Sequence, residues 1–480
     1  MADLTNNWLS YLSEEDIKSI DVASKRVLSE VGIRFEDAEL TEKLMDKGCT
    51  NKDGRLQIPS DLIDAAVSKL PDHITYIGRD LKELKIGKGK VATHTGGSIP
   101  YVYDLETGLK RNASLEDLEN MLRLMNHLEH LSMCGALVQP QEVHPGISEL
   151  IQMTTVFRIG QKPGSGSAIS TVPQARYTVE LYKVLMAELE NPNHYPLLTV
   201  GISPESPLYY PAEIVGIMKL LIANDIPTLA LVAPILGFTA PMTIAGGLAQ
   251  MNASLLAYAV ISHEINPDTP VIYGARLCMA NMSNAQSIWG VPEVGMIGAG
   301  SVQLAKYYGL PSDVYGYSSS SCTHDLQLAA EASVNGLLPL LAGANIISGF
   351  GSFGSGYLAS FEDLVFDNEL FGMHLRTSQG LKIDADHLAV EVIANAMDGK
   401  DYFLQKHTLK HLRTGELSKP KIGLYGLIKD WEEKEGSKDF REKAREEVKR
   451  ILAQNEDHPL PEAVDHEFEK ILKAAETELC

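Results

Sequence analysis

Cysteine is scarce in this 480-residue chain: five in all (Cys49, Cys134, Cys278, Cys322 and Cys480), with no C-x-x-C pair among them. An odd, scattered set excludes a disulfide scaffold and a zinc ribbon, and points to a reducing, cytoplasmic setting. Long apolar runs are missing too. None reaches the ~18 residues of a membrane-spanning helix, and the opening MADLTNNWLSYLSEED has no basic stretch followed by an apolar one. Neither a membrane span nor a classical export signal is expected. Positive charge is in deficit, 42 Lys and Arg against 63 Asp and Glu for a formal charge of -21, which disfavours nucleic acid and anionic membranes as partners. No G-x-G-x-x-G follows the first strand of the regular region, so the phosphate fingerprint of a dinucleotide-binding sheet is absent.

What is present suits a large ordinary core, with 44% hydrophobic and 22% charged residues. Residues 1–90 read as an α+β lead-in. A helix is expected over Ile17–Val31 after Ser13, then an RLQIP strand, a helix over Leu62–Leu70 and a strand over Ile74–Arg79. Over residues 91–383 short apolar runs ending in Gly, Ser or Pro alternate with helix-length amphipathic stretches. Eight strands are predicted: Val91–Thr95, Leu131–Val138, Gly166–Ser170, Leu197–Ile202, Thr228–Val232, Val271–Tyr273, Asp313–Tyr317 and Ala344–Ser348. Eight strands with intervening helices spell an α/β fold, the (β/α)8 TIM barrel. Residues 384–480 turn helical and highly charged, with i, i+4 ion pairs that predict a solvated helical extension.

Ligand sites of such barrels gather at the carboxyl ends of strands, and those ends supply the candidates. The first carries His94, Gly96 and Gly97, followed by Tyr101 and Tyr103, which either pack a hairpin or wall a cation site. The sixth brings Tyr273 and Arg276 to the mouth; Arg276 either grips a carboxylate with two prongs or braces the rim against Glu293. The seventh supplies Tyr317, the serines Ser318 to Ser321, Cys322 and His324. Cys322 and His324 lack a third orienting group for nucleophilic work, and a zinc set of His324, Cys322 and Cys278 is too dispersed in sequence to be favoured. The eighth ends in SGFGSFGSGY, where Phe350 and Phe353 alternate with Gly349 and Gly351, a pattern for a cation cage or for capping of the barrel core.

With these residues in hand, the chain resembles, over essentially its whole length, the trimethylamine methyltransferase superfamily, in the branch lacking pyrrolysine that demethylates quaternary amines. The resemblance is carried by VGIRFEDAEL, RLQIP and IGRD near the start, and by YDLETGLKRNASLEDLENMLRL after the first strand. Further along stand GVPEVGMIGAGSVQLAKYYGLPSD, LLPLLAGANIISGFG, SFEDLVFDNEL and HTLKHLRTGEL, the last with His407 and His411. It implies a methyltransferase that moves a methyl group from an amine to the cobalt of a corrinoid (cobalamin) on a partner protein, with no metal bound directly. In trimethylamine members pyrrolysine falls near the position of Ser321 and Cys322; ordinary residues stand here. Gly354 also replaces an acidic residue common in relatives. Both departures point away from trimethylamine and towards proline betaine, carnitine, glycine betaine or γ-butyrobetaine.

Chemistry agrees with that implication. A Co(I) corrin is its own nucleophile, and a quaternary nitrogen leaves as a neutral amine without a general acid, so no catalytic side chain is required and the enzyme's task is positioning. Tyr101, Tyr103, Tyr273, Tyr317, Phe350 and Phe353 are the cage candidates, and Arg276, His94 and His324 the carboxylate partners. The rim of Gly96, Gly97, Ser319, Ser321, Gly349 and Gly351 is where a flat corrin would approach. Large barrels of this kind commonly associate, so a homo-oligomer is expected. Three other readings stand beside this one: trimethylamine or another amine as methyl donor, a non-catalytic osmolyte-binding or corrinoid-docking protein, and an unrelated barrel lyase or hydrolase with a bound metal or a paired acid and base.

Overall fold

The computed structural model describes residues 2–3, 9–166, 169–189, 191, 193–418, 420–423, 425–454 and 458–480. Eight short parallel strands enclose a barrel: β1 (Lys90–Thr95), β2 (Cys134–Gly135), β3 (Gly164–Gly166), β4 (Leu198–Ile202), β5 (Thr228–Val232), β6 (Val271–Ala275), β7 (Ser312–Tyr315) and β8 (Ile346–Phe350). Strands pair in chain order from β2 to β8, and β8 returns to β1 with Ile346 opposite Ala92 and Ser348 opposite His94. The last seam, between β1 and β2, is held by the Ser132 and Met133 N–H groups, each donating to the Thr93 carbonyl at 3.1 Å. A two-residue strand, Ala2–Asp3, adds antiparallel to Lys90 and Val91.

A helix follows each strand: α1 (Leu115–His127), α2 (Ser148–Ile159), α3 (Val172–Glu188), α4 (Ala212–Ile222), α5 (Ile244–Ile265), α6 (Pro292–Tyr308), α7 (Leu326–Ala342) and α8 (Phe361–Ser378). The (β/α)8 barrel is therefore observed as predicted. Local chemistry starts several helices: Ser114 and Asp117 cap α1 reciprocally, as Thr171 and Gln174 cap α3. α5 is long and apolar enough to cross a membrane, yet 72% of its apolar window is buried within the protein. The reason is its position between the barrel and the N-terminal helices Glu14–Arg26 and Ser60–Val67, which leaves little of it for water.

Strand lengths depart from expectation where burial and pairing part company. Leu131–Val138 is buried almost throughout, yet only Cys134–Gly135 joins the parallel ladder; Ala136 and Leu137 give their carbonyls to Ser98 and Ile99 in a loop. An apolar run reports burial, while a strand requires regular partners. The third strand begins two residues before its predicted start at Gly166, and Ser167 and Ala168 lie outside the described residues.

The lead-in closes the barrel floor. Its hairpin, Ile74–Ile77 against Glu83–Ile86, turns Ile74, Tyr76, Leu84 and Ile86 onto Ala92, Met133, Leu229, Ile272 and Ile346 at the amino ends of the strands. The last two helices of the charged tail pack on the barrel. Phe440–Leu452 buries Ala444, Val448 and Ile451 against α8 and α1, and Glu462–Leu479 buries Val464, Phe468, Leu472 and Ala475, largely on α3. The i, i+4 charges describe only their outer faces.

Truncation of the floor should be costly. Ile272 is fully buried, and Ile272→Ala is expected to lower stability by ~2–5 kcal/mol, read as a lowered midpoint in chemical denaturation. A change under ~1 kcal/mol would show that the hairpin does not seal this end.

Candidate active site

Residues two apart on a strand share a face, and inward parity collects a polar group at the carboxyl ends. His94 on β1, Asp313 and Tyr315 on β7 and Ser348 on β8 all point into the barrel, joined by Ser165 from β3 and Arg276 just past β6. Asp313, without solvent exposure, is the hub. Its carboxylate accepts from His94 Nε2 at 2.7 Å, Arg276 Nη2 at 2.7 Å and Ser348 Oγ at 3.0 Å. With Nε2–H donated to Asp313, His94 Nδ1 accepts from Ser165 Oγ at 3.1 Å. Arg276 also donates Nη1 to the Ala275 and Asp313 carbonyls and Nη2 to Ser348 Oγ, each at 3.0 Å.

Burial by itself would push the Asp313 carboxyl up. The charge of Arg276 and the hydrogen bonds of Arg276 and His94 outweigh it and hold the group down to about 2. Asp313 is therefore ionised at neutral pH, and its fork with Arg276 is neutral as a unit. Arg276 braces the barrel, as the structural reading of the sequence allowed, but its partner is Asp313 rather than Glu293.

Above this network lies a cavity of about 210 Å³, lined by His94, Arg276, Ser165 and Ser348, by the rim residues Gly96 and Gly97, and by an apolar wall of Leu229 and Leu231. Tyr315 forms its aromatic side. Its hydroxyl bonds Ser352 Oγ at 2.8 Å, its ring lies 5.7 Å from the Arg276 guanidinium carbon, and Trp289 meets it edge-on at 5.1 Å. Thr95 also lines the cavity; its buried hydroxyl has no hydrogen-bond partner and stands where a Cβ on Gly135 would come within 2.5 Å.

The structure thus assembles His94, Arg276, Gly96 and Gly97 at one cavity and distributes the other candidates elsewhere. Tyr273, three residues before Arg276, has the opposite strand parity; it faces α5, where its hydroxyl donates to Asn252 Oδ1 at 2.9 Å and burial pushes its phenol up. Tyr317 bonds His374 Nδ1 at 2.7 Å and packs on Phe350 at 4.6 Å, both rings lying beside Phe371 of α8. Tyr103 stacks on Phe353 at 5.7 Å, meets His324 edge-on and donates to the Cys322 carbonyl. Tyr101 lies in the same satellite core, with Lys110 Nζ 4.0 Å from its ring centroid. His324 bonds Ser360 Oγ, and burial first, then Arg441 and Arg445, hold its imidazole down to about 4.

Ser319 is bonded to Glu331, and Ser321 to Asp325 and the Thr323 carbonyl, which wires that loop to α7. Gly349 (φ +114°) sits at a bulge where a Cβ would come within 2.4 Å of the Tyr317 carbonyl. Gly351 (φ +76°) donates its N–H to Asp367 Oδ2 at 2.8 Å, a carboxyl pushed up by burial and by neighbouring Asp363. Asp313, Tyr315 and Ser348 escaped the strand-end search: Asp313 and Tyr315 precede the predicted end of their strand at Tyr317, and Ser348, which closes its predicted strand, was passed over for the glycines and aromatics that follow it. The available signal was an aspartate and a tyrosine two apart in the otherwise buried SDVY, with a serine interrupting IISGF.

Asp313→Asn leaves the Arg276 charge buried without its counter-ion and should cost ~3–5 kcal/mol at neutral pH. Because folding depresses the Asp313 pKa, its contribution is present above the unfolded value and is lost as pH falls through about 2. The gap between parent and variant in thermal or denaturant unfolding should accordingly close in acid; a gap independent of pH would deny Asp313 its charge.

With this geometry in place, three comparisons bear on identity. A family model described as trimethylamine methyltransferase (MTTB) matches residues 3–479. A trimethylamine methyltransferase MttB of Desulfitobacterium hafniense (strain DSM 10664 / DCB-2) is 28% identical over 476 residues, covering 98% of this chain and 95% of that protein. A glycine betaine methyltransferase of Desulfitobacterium hafniense (strain Y51) is 26% identical over 466 residues, 96% of this chain and 95% of that one. In fold alone, a crystal structure of the hydroxylamine MtmB complex superposes with a TM-score of 0.50 at 13% identity, covering all of this chain and 89% of the other. A family match over nearly every residue, on a barrel whose mouth holds a polar, aromatic-sided cavity, places this chain in the trimethylamine methyltransferase (MTTB) family, as a methyltransferase.

Proposed function

We propose that this methyltransferase takes its methyl group from a quaternary amine that also bears a carboxylate, of the proline betaine, carnitine, glycine betaine or γ-butyrobetaine type, and delivers it to a corrinoid protein. The observation that carries the reading is the state of His94: both ring nitrogens are engaged, one by Asp313 and the other by Ser165. The cavity's imidazole is thus committed to structure, and the Tyr315 hydroxyl is tied to Ser352, with burial pushing its phenol up. A site without a poised acid suits a leaving group that departs as a neutral tertiary amine. The similarity to a glycine betaine methyltransferase supports the same substrate class.

A corrinoid carried by a partner protein would supply, when bound, the Co(I) nucleophile that accepts the methyl group. The rim fits its approach: a Cβ on Gly97 would meet nothing nearer than the Ala136 carbonyl at 3.9 Å, so the edge of the cavity is low there. The chain's own residues bind and orient. The Tyr315 ring offers its face to the ammonium group, and Leu229 and Leu231 exclude water from it. Thr95 Oγ1, which lacks a partner, donates to the substrate carboxylate beside the cationic edge of Arg276. Orientation of the methyl group towards the mouth then supplies the rate, because in-line transfer depends on geometry more than on acid or base.

The test uses free cob(I)alamin, kept reduced, with the four betaines and trimethylamine offered singly, and chromatographic detection of the amine one methyl lighter. Turnover of at least one betaine and none of trimethylamine is expected; amine binding without product from any of them would sink the proposal. Tyr315→Leu should raise KM roughly 2- to 30-fold, the ~0.5–2 kcal/mol of one cation–π contact. Thr95→Val should raise KM for carboxylated amines by ~2- to 10-fold and leave the Kd of choline, which has no carboxylate, unchanged. Equal losses for both would remove Thr95 from the carboxylate.

A further inference from the structure

After α8 the chain passes through four short helical pieces, Ala385–Leu388, Val390–Met397, Tyr402–Leu404 and Lys406–Arg413, none of which has a buried residue. Val390, Met397, Phe403 and Leu404 are exposed. Helices this short do not persist by themselves, and no apolar core fastens them. What the segment gathers is imidazole. His407 and His411, one turn apart on one helix face, have ring centroids 4.2 Å apart, and His387 approaches His411 from the first piece at 4.9 Å.

Two overlapping sets of ligand atoms result: Asp386, His407 and His411, and His387, His411 and Glu416, each with all atoms within 4.8 Å of one another. His411, common to both, has a side chain only 12% exposed. Its Nε2 lies 3.1 Å from Asp386 Oδ2 but outside hydrogen-bond alignment, so a buried ring nitrogen is aimed into the cluster with no hydrogen-bond partner. His387 is oriented as a metal-bound imidazole is. His387 Nδ1 bonds the Asp384 carboxylate at 2.7 Å, leaving Nε2 bare, and that atom lies 3.7 Å from Glu416 Oε2. His407 Nε2 donates to the Asp386 carbonyl at 3.0 Å, which leaves Nδ1 bare. Lys410 Nζ holds Asp386 Oδ2 at 2.6 Å, which makes Glu416 the more accessible of the two carboxylates.

From this we infer a binding site for one divalent transition-metal ion of the zinc class, centred on His411 and completed by His387, His407 and the Glu416 or Asp386 carboxylate. Imidazole with carboxylate selects zinc and its neighbours over calcium or magnesium, which take oxygen. Four donors at ~2.0–2.1 Å from zinc lie about 3.3 Å apart, so binding draws these side chains together, a movement that a segment without a core permits. The ion acts as a staple, giving residues 384–416 the fixed structure that hydrophobic burial does not. The expectation of no directly bound metal came from the family resemblance; in the sequence these donors are spread from Asp386 to Glu416.

The full chain, stripped with dipicolinate, would be titrated with Co2+ alone and then with Zn2+. Expected are visible bands of tetrahedral Co2+ saturating at about one ion per chain, their loss on Zn2+ addition, and slowed hydrogen exchange across residues 384–416. His411→Asn should abolish the bands and His387→Gln should weaken binding by ~10- to 100-fold. Glu416→Gln is the milder variant should His411→Asn misfold. Absence of saturable Co2+ or Zn2+ binding, or binding indifferent to both His387→Gln and Glu416→Gln, would overturn the proposal.

Discussion

A carboxylate with none of its surface in water is tenable only where opposite charge and donors surround it, and Asp313 meets that condition through four strands at once. Arg276 comes from the end of β6, His94 from β1, Ser348 from β8, and Asp313 itself from β7. Removing one partner leaves the other charge stranded, so the network resists piecemeal change. It also ties β1, β6 and β8 to β7 on one side of the mouth. The cavity above inherits its shape from that constraint.

A charge-paired, hydrogen-bonded floor keeps the cavity polar, and the proposed cation site rests on it. Tyr315 stands between two demands, with its hydroxyl tied to Ser352 and its edge contacted by Trp289, so its ring orientation is set before any ligand arrives. Preorganisation of this kind serves a reaction in which alignment supplies the rate. The other aromatic candidates pack among themselves, Tyr317 and Phe350 beside Phe371 of α8, and Tyr101 and Tyr103 with Phe353.

The additions at either end of the barrel obey the same rules as its centre. The N-terminal hairpin alternates apolar and polar residues because one face must plug the floor, and the last two helices bury Val448 and Phe468 behind an outer face of salt bridges. The four helical pieces within residues 384–416 carry no buried residue, and what they gather instead is charge and imidazole.

The order of strands and helices was legible in the sequence, since apolar periodicity is a local property and each βα unit repeats it. Thr228–Val232 was placed to the residue, and the resemblance in motifs such as SFEDLVFDNEL led to the family that the whole-chain match shows. His94 and Arg276 could be named because they stand at strand ends. Asp313, Tyr315 and Ser348 could not, although their residue types were in view, because their meaning lies in contacts between strands separated by 35 residues or more. Strand-end position told nothing of parity, which sends Tyr273 to α5 and Arg276 into the barrel. A linear pattern determines which elements form and which faces they bury; only closure of the barrel decides which polar side chains meet, because the energy of a buried charge depends on partners that the chain brings together from far apart.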